Sequence, residues 1–461
     1  MASWRRAGVG AAVALAVAAG AVRAQAQADA GAGATQPTTQ PATQPTTTTT
    51  EPAPTTEPAP PPTTTEPAEP AEPAAPEPEP AVEPVAQPPY ELHGFVSQGA
   101  FLSTANDYIG RSSRGSLAFF ETGLDVSTQL TDRLRAGVQL FARKVGDFED
   151  PPHIDWAFLD YAWRPWLGLR AGVVKMPFGL YNEYADIDAA RVPILLPQAM
   201  YPVRDRTLLL SQTGFDAYGT LPLGGAGDLD YQAWLGTLSI PNNAIDLVGA
   251  TLDDVDTKYV TGAQVFWRTP IHDLKLGGTF LRSSIDFHLT FTQKNIDALI
   301  ASGMVPPDYD GKISVYYRPV SIFVGSLEYQ HGNWLLAAEY SRWLTRERFS
   351  LRVVGAGTDL DNERYYAMAS YQLADRWQVG AYGSVYEPDV DHRTGGTPAY
   401  PRSFDAYQRD GAVSLRFDVD DHWLWKLEAH LIDGTADLAA TDRVDSKQYW
   451  GLFLARTTVT F

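Results

Sequence analysis

The sequence lacks cysteine and has little positive charge. None of its 461 residues is Cys, which excludes disulfides, thiolate metal sites and thiol nucleophiles. Its 36 Lys and Arg stand against 55 Asp and Glu, giving a formal net charge of −19. A chain with no basic excess cannot neutralise many phosphates, so the composition argues against a nucleic-acid partner.

Long apolar runs are missing after residue 26. No run there approaches the ~18 residues of a membrane-spanning helix, and helical periodicity is confined to a short stretch near 294–302. The mean hydropathy is −0.21. That value argues against a bundle of membrane helices but not against a membrane β-barrel, whose strands are apolar only at alternate positions.

Residues 1–26 have the pattern of a secretory signal peptide. Arg5 and Arg6 precede the apolar, Ala-rich run 7–22, and the small residues Ala24 and Ala26 suit cleavage after one or the other. The alternative is an uncleaved anchor, although the run is short for a ~20-residue span. The pattern predicts that the mature protein is exported.

Residues 27–90 are predicted to be a disordered Pro/Thr/Glu-rich linker. Of these 64 residues, 18 are Pro, 14 are Thr and nine are acidic, and none is Lys or Arg. Such a segment buries too little apolar surface to offset the entropy of ordering. We expect an extended spacer in the periplasm, with a tether to the cell wall as the alternative.

Residues 91–461 alternate between apolar and polar side chains. The alternation is clear in 120–130, 377–386 and 424–431. Period two over such lengths indicates strands with one apolar and one polar face. A water-soluble β-sandwich alternates in the same way, so the connections have to distinguish the two architectures.

The predicted connections alternate between tight turns and long loops, which is typical of outer-membrane barrels. The fold class is therefore all-β, a transmembrane antiparallel up-and-down barrel of about sixteen strands. The predicted strands lie near 91–103, 116–130, 133–144, 154–163, 167–175, 215–223, 228–239, 258–268, 274–290, 314–331, 334–349, 363–374, 377–387, 404–419, 423–436 and 447–461. The long loops are predicted at 104–115, 145–153, 176–214, 240–257, 291–313, 350–362, 388–403 and 437–446.

Aromatic residues cluster near the ends of these strands. Amphipathic rings prefer the membrane–water boundary, so they are expected to form girdles. The residues concerned are Trp163, Trp166, Trp334, Trp377, Trp423, Trp425 and Trp450. The chain also closes on an alternating strand that ends in Phe461, like the sorting signal of bacterial outer-membrane barrels.

The loop 176–214 is the longest, and it is unusually apolar for an exposed loop. It contains VPILLPQAMYPVRDR. We expect it to fold into the lumen as a constriction, where opposed Arg and Asp side chains would set a transverse field. The residues predicted at the pore constriction are Arg191, Arg204, Asp205 and Arg206. The alternatives are packing against a neighbouring subunit and an added hairpin, which would give eighteen strands.

The segments ELHGFVSQGAFLST, QLTDRLRAGVQLFAR, WLGLRAGVVKMPFGLYNE and ILLPQAMYP resemble a family of Gram-negative porins related to the phosphate-selective porins. The resemblance covers roughly 91–210. It implies a sixteen-stranded barrel, often a homotrimer, for passive diffusion of ions and small hydrophilic solutes through the outer membrane. It does not imply phosphate selectivity, because the predicted lumen-facing charges have both signs. These are Glu121, Asp125, Arg135, Arg143, Lys175, Arg416, Lys426, Glu428 and Arg456.

The sequence gives little support to catalysis or to a cofactor. The eight His are scattered and show no metal-ligand spacing, and no Gly-x-Ser-x-Gly elbow is present. We therefore expect a non-enzymatic outer-membrane channel, with lipid and lipopolysaccharide as neighbours. The alternative is a structural or adhesive barrel tethered to the cell wall through residues 27–90.

Overall fold

Sixteen antiparallel strands form one closed barrel. A computed structural model describes residues 90–238, 250–351, 354–397, 399–439 and 442–461. Within these ranges each strand pairs with its neighbours in the chain, and β1 closes the ring on β16. The predicted all-β barrel of sixteen strands is confirmed, and the described residues do not form the eighteen-strand alternative. The signal peptide and the predicted linker lie outside the described residues.

The strands are β1 Glu91–Ser103, β2 Ser116–Thr131, β3 Leu134–Val145, β4 Phe148–Arg164, β5 Leu167–Lys175, β6 Ser211–Pro222, β7 Asp228–Thr237, β8 Ala250–Arg268, β9 Leu274–Phe291, β10 Lys312–His331, β11 Trp334–Leu351, β12 Val354–Ala374, β13 Trp377–Glu387, β14 Gln408–Asp418, β15 Trp423–Gly434 and β16 Tyr449–Thr460. Within the described residues, the α-helices are Arg206–Leu209 and Gln293–Ala301. Among the described residues, no helix is long and apolar enough to cross a membrane.

The first and last strands close the barrel in a continuous register. Phe95 pairs with Thr460, and the pairing runs to Ser103 opposite Leu452. Gly94 and Phe461 exchange both backbone hydrogen bonds, at 2.9 and 3.0 Å. Closure leaves no sheet edge unpaired, which is the requirement for a sheet that has no water to bond its edges.

On β15 the side chains alternate as the sequence predicts, with apolar residues outside and polar residues inside. Strands β7–β10 also turn apolar side chains inward, such as Trp234, Val260 and Leu281. On β15, Leu427 and Leu431 are 55% and 78% exposed on the outer face. The residues that follow or precede them, Glu428 and His430, are 3% and 1% exposed on the inner face. The outer face is apolar although none of the described residues covers it, and this pattern suits a lipid environment.

Two of the predicted long loops are in fact strand. β3 and β4 join through a tight turn at Gly146 and Asp147, so 145–153 is not a loop. β11 runs to Leu351 and β12 begins at Val354, so 350–362 is not a loop either. Both segments are rich in Asp and in Gly or Pro, which are typical of loops. The prediction therefore missed that the strands continue past the apolar part of the barrel wall.

Six of the seven tryptophans expected near the boundary lie exposed at the end of the barrel that carries the tight turns. Their exposed fractions run from 39% for Trp423 to 49% for Trp334. Trp450 was predicted to join them, and this is wrong. It is 4% exposed, its indole N–H donates to the carbonyl of Gly434 at 3.1 Å, and it packs on Tyr108. It lies at the opposite end of the barrel, where the loops fold over the lumen.

Candidate functional site

The segment between β5 and β6, residues 176–210, is called here the inner loop. It is slightly shorter than predicted, because β6 already begins at Ser211. Most of its apolar side chains are buried, with Ile194 and Met200 at 0% exposure, while Tyr184 and Ile187 are exposed. Its polar contacts go to inward-facing side chains of β3, β4, β8, β11, β12, β14, β15 and β16. The inner loop therefore crosses the lumen and meets the barrel wall on nearly all sides.

A buried carboxylate on β11 holds the first part of the inner loop. Glu339, 3% exposed, accepts the backbone N–H of Leu180 at 2.9 Å and the hydroxyl of Tyr366 at 2.9 Å. The hydroxyls of Tyr201 and Ser326 donate to it as well. A carboxylate that accepts several hydrogen bonds in a buried site fixes its partners tightly. We call this set of contacts the β11 latch.

A second carboxylate holds the middle of the inner loop at a part of the wall four strands away from β11. Glu428 on β15 accepts the backbone N–H groups of Ile194 and Leu195, at 2.6 and 2.9 Å. His430 lies beside it, with Nε2 2.9 Å from Glu428 and Nδ1 3.0 Å from both carboxylate oxygens of Asp410. The two carboxylates and the ring form a continuous buried network. We call it the β15 latch.

Asp188 lies in the inner loop at the centre of a charged cluster. Its carboxylate is 2.9 Å from Nζ of Lys426, 3.6 Å from Nε of Arg456 and 2.7 Å from the hydroxyl of Thr458. Arg456 also pairs with Glu121 at 2.6 Å. Burial raises the pKa of Asp188, but the charges of Arg456 and Lys426 outweigh burial and hold that pKa below its usual range. The carboxylate is therefore ionised and anchors the loop to β15 and β16.

Asp186 anchors the inner loop to the part of the wall that β4 and β5 form. It pairs with Arg206 of the same loop at 2.8 Å and with Lys175 at the end of β5 at 3.1 Å. Arg206 also pairs with Asp155 on β4 at 3.1 Å, and it stacks over the ring of Phe141. Burial raises the pKa of Asp186, but the charges of Arg206 and Lys175 outweigh burial, and the net result is a pKa well below its usual range. Here too the carboxylate is ionised.

The four residues predicted at the constriction lie in different surroundings. Arg191 donates to the carbonyls of Ala185, Pro193 and Ile194, so its charge is used within the loop. Arg206 is a wall anchor, as described above. Arg204 is exposed at the loop surface. The side chain of Asp205 lies outside the described part of the structure.

The residues predicted to face the lumen fall into two groups. Lys175, Lys426, Glu428, Arg456 and Glu121 belong to the two anchors and the β15 latch. Arg143 pairs with Asp150 at 2.5 Å and reaches the carbonyl of Val203 in the inner loop. Arg416 donates to the carbonyls of Ala189 and Arg191. Asp125 is half-buried, and Arg135 lies near the tight-turn end, where it pairs with Glu91.

Two cavities border the inner loop. The larger, about 320 Å³, lies at the tight-turn end between the loop and β10–β14, with Gln330, Gln378 and Arg416 in its lining. The smaller, about 60 Å³, lies between the loop and the wall, beside Glu121 and Arg143. A cavity of 60 Å³ holds only a few water molecules. The space next to the charged wall is therefore narrow.

The sequence did not single out Asp186, Asp188, Asp410 and Glu339. The two aspartates sit in YADIDAA and read as ordinary loop acids, and their partners lie up to 270 residues away. One signal was available in the sequence: Asp186 and Asp188 fall in the long loop that is unusually apolar. In the described ranges, no group of three or more His, Asp or Glu side chains is placed to hold a metal ion.

No protein-family model and no curated protein matches this sequence. The structure is similar to the outer-membrane channel DcaP of Acinetobacter baumannii, at 11% identity and a TM-score of 0.48, over 81% of this chain and 97% of that chain. It is also similar to the anion-selective porin from Comamonas acidovorans, at 11% identity and a TM-score of 0.46, over 81% and 99%. It is similar as well to Salmonella typhi OmpF in complex with daunomycin, at 12% identity and a TM-score of 0.49, over 81% of this chain and 97% of that chain.

In architecture the chain is a closed antiparallel barrel of sixteen strands. The number of strands and the closure rest on the strand pairing of this chain itself.

Proposed function

We propose that this protein is an outer-membrane porin that lets ions and small hydrophilic solutes diffuse passively. The observation that carries the proposal is a closed sixteen-stranded barrel with an apolar outer face and with charged side chains on the inner face of β2–β5 and β14–β16. A barrel of this size is too wide for wall side chains alone to fill it, so its interior admits water. Passage is then governed by the width and by the wall charges.

The inner loop supports the constriction predicted from the sequence and changes its expected chemistry. Asp186, Asp188, Arg191 and Arg206 are engaged in ion pairs and backbone contacts. Neutralised pairs set a weaker transverse field than free opposed charges would, because their potentials largely cancel at a distance. We infer a narrow pore with modest ion selectivity, in which these charges mainly fix the position of the loop.

Planar-bilayer recording tests the proposal. Purified refolded protein should raise the conductance in discrete steps, and the steps should be small because the loop narrows the lumen. The reversal potential in a salt gradient then reports charge selectivity, which we expect to be modest. Repeated absence of steps from protein that is folded by spectroscopy would exclude a diffusion channel.

The expected location is the bacterial outer membrane, with residues 27–90 in the periplasm. The exposed apolar outer face and the tryptophans at the tight-turn end support a membrane location. The alternative function, a structural or adhesive barrel tethered through residues 27–90, concerns residues outside the described part of the chain. It stays a prediction, and the charged interior with its anchored loop favours the channel.

A further inference from the structure

Five arginines lie on the outer face of the barrel at the end that carries the long loops. They belong to three neighbouring strands, β9, β10 and β11. Glu339 and Ser341 of β11 point inward and are buried, so the even-numbered residues of this strand point outward. The five residues are Arg282, Arg318, Arg342, Arg346 and Arg348, and they form what we call the arginine patch.

The arginine patch overlaps the edge of the apolar outer face, since Leu344, 40% exposed, lies between Arg342 and Arg346 on β11. Trp334 marks the tight-turn end of β11, and Tyr340 is 45% exposed six residues further on. A tilted strand crosses the hydrocarbon layer in ~9–11 residues, and Arg342 is the ninth residue counted from Trp334. Phe280 and Phe323 lie level with Arg342 in the sheet and are exposed on the outside, with their ring centroids 5.0 Å apart.

Only three of the five arginines have an acidic partner. Asp286 pairs with Arg318, Asp361 with Arg342, and Asp359 with Arg348. Arg282 and Arg346 make no ion pair or hydrogen bond with any residue in the described part of the chain. They lie on β9 and β11, on either side of β10. Two unpaired guanidinium groups next to a lipid-facing apolar surface are costly unless an anion neutralises them.

We propose that the arginine patch binds the phosphate groups of an acidic glycolipid in the leaflet that surrounds this end of the barrel. The inference rests on the proposed membrane location. Guanidinium groups bind phosphate oxygens in a bidentate manner. A lipid also explains the geometry, because its phosphates lie level with Arg282 and Arg346 while its acyl chains run down over Phe280 and Phe323. A free phosphate ion would make no use of the apolar surface below.

The test uses the full mature protein in phosphatidylcholine nanodiscs doped with lipid A, a bisphosphorylated acylated disaccharide. Native mass spectrometry counts the lipid A molecules retained by each barrel. The double variant Arg282→Gln/Arg346→Gln should bind roughly 30-fold more weakly, because each cation near an anionic lipid surface strengthens binding about fivefold. Dephosphorylated lipid A should bind the wild type and the variant equally weakly.

Matched variants separate this site from general surface charge. Arg409→Gln removes an arginine that is exposed at the same end of the barrel on β14 but paired with Asp433 at 3.5 Å, so it should leave lipid A retention unchanged. Arg282→Lys/Arg346→Lys should retain most of the binding, because the charge remains. Millimolar inorganic phosphate should compete poorly.

Three results would overturn the inference. The first is equal retention of lipid A by the wild type and the Gln variant, and the second is full competition by inorganic phosphate. The third is a changed oligomeric mass with unchanged lipid binding, which would make the patch a contact between copies. Conductance steps should persist in the Gln variant. If conductance steps are present but the lipid test fails, the lipid site is wrong and the channel stands. If lipid A binds specifically but no conductance steps appear, the channel is wrong and the lipid site stands.

Discussion

At the scale of single residues, Asp188 is a fully buried charge that depends on buried cationic partners. Its side chain and that of Lys426 are both 0% exposed, and Arg456 is nearly as buried. A buried charge is tolerated only while its partner is present, and removal of one partner from such a pair costs ~3–5 kcal/mol. The cost is larger than that of a surface ion pair because the charge left behind cannot reach water.

Asp188→Asn should therefore destabilise the barrel by ~3–5 kcal/mol. The amide retains the hydrogen bond from Thr458 but leaves two buried cations with one fewer anion. Urea unfolding in lipid vesicles measures the free energy of unfolding. Adding Lys426→Met to Asp188→Asn should restore part of the loss, because one uncompensated cation disappears.

A surface aspartate provides the control for this prediction. Asp228→Asn removes a partner of Arg268 at 3.5 Å, where both side chains are more than 40% exposed. Its effect should be within ~1 kcal/mol, since exposed ion pairs contribute little. If Asp188→Asn and Asp228→Asn unfold at the same urea concentration, the charged cluster does not anchor the inner loop.

The low pKa values of Asp186 and Asp188 also limit the response to acid. A carboxylate whose folded-state pKa is depressed stabilises the fold above its unfolded pKa of ~3.9. That stabilisation is lost only as the pH falls through the lower folded-state pKa. Both carboxylates thus stay ionised across the neutral and mildly acidic range.

At the scale of elements, the inner loop depends on the β11 latch as much as on its charges. Gly179 has φ +59°, and a Cβ built there would lie 2.5 Å from the hydroxyl of Tyr201 and 2.7 Å from the carboxylate of Glu339. Both atoms belong to the latch. Any larger residue at this position must displace the contact between the loop and β11.

Gly179→Ala should open the pore. The left-handed backbone conformation costs Ala ~1–2 kcal/mol, and the added methyl group pushes Tyr201 and Glu339 apart. The loop then withdraws from β11, so single-channel conductance and open-channel current noise should both rise. Gly225→Ala is the control, because it lies in a tight turn with nothing within 4 Å of the new Cβ. Identical conductance for the two variants would show that the β11 latch does not set the pore width.

The elements were more predictable from the sequence than the site was. Strand positions follow from the period-two pattern, which depends only on residues near each other in the sequence. Most predicted boundaries agree with the structure within a few residues. The failures at 145–153 and 350–362 share one cause, because strands that continue above the apolar region lose their alternation and read as loops. Asp188 and Glu339 were missed for a different reason, since their roles depend on partners that only closure of the barrel brings together.

At the scale of the whole molecule, the outer face is not uniformly convex. A groove runs across β1, β2 and β14–β16, and its lining is mainly apolar. The exposed apolar residues in it are Leu102, Leu117, Val413, Leu427 and Phe453. A large apolar depression is a candidate contact surface, and we expect it to be the contact of the homotrimer that the sequence resemblance implies.

Val413→Glu/Leu427→Glu should therefore convert trimers into monomers. Carboxylates in the groove would be buried without partners in an assembled trimer, whereas in the monomer they remain at the surface. Native mass spectrometry in detergent gives the oligomeric state. Phe215→Glu/Leu235→Glu is the matched control, because these residues form an adjacent, exposed apolar pair on β6 and β7, across the barrel from the groove. It should remain trimeric with the same number of added charges. Trimers that survive in both variants would place the contact elsewhere on the outer face, and monomers in both would mean that the charges act through the barrel fold.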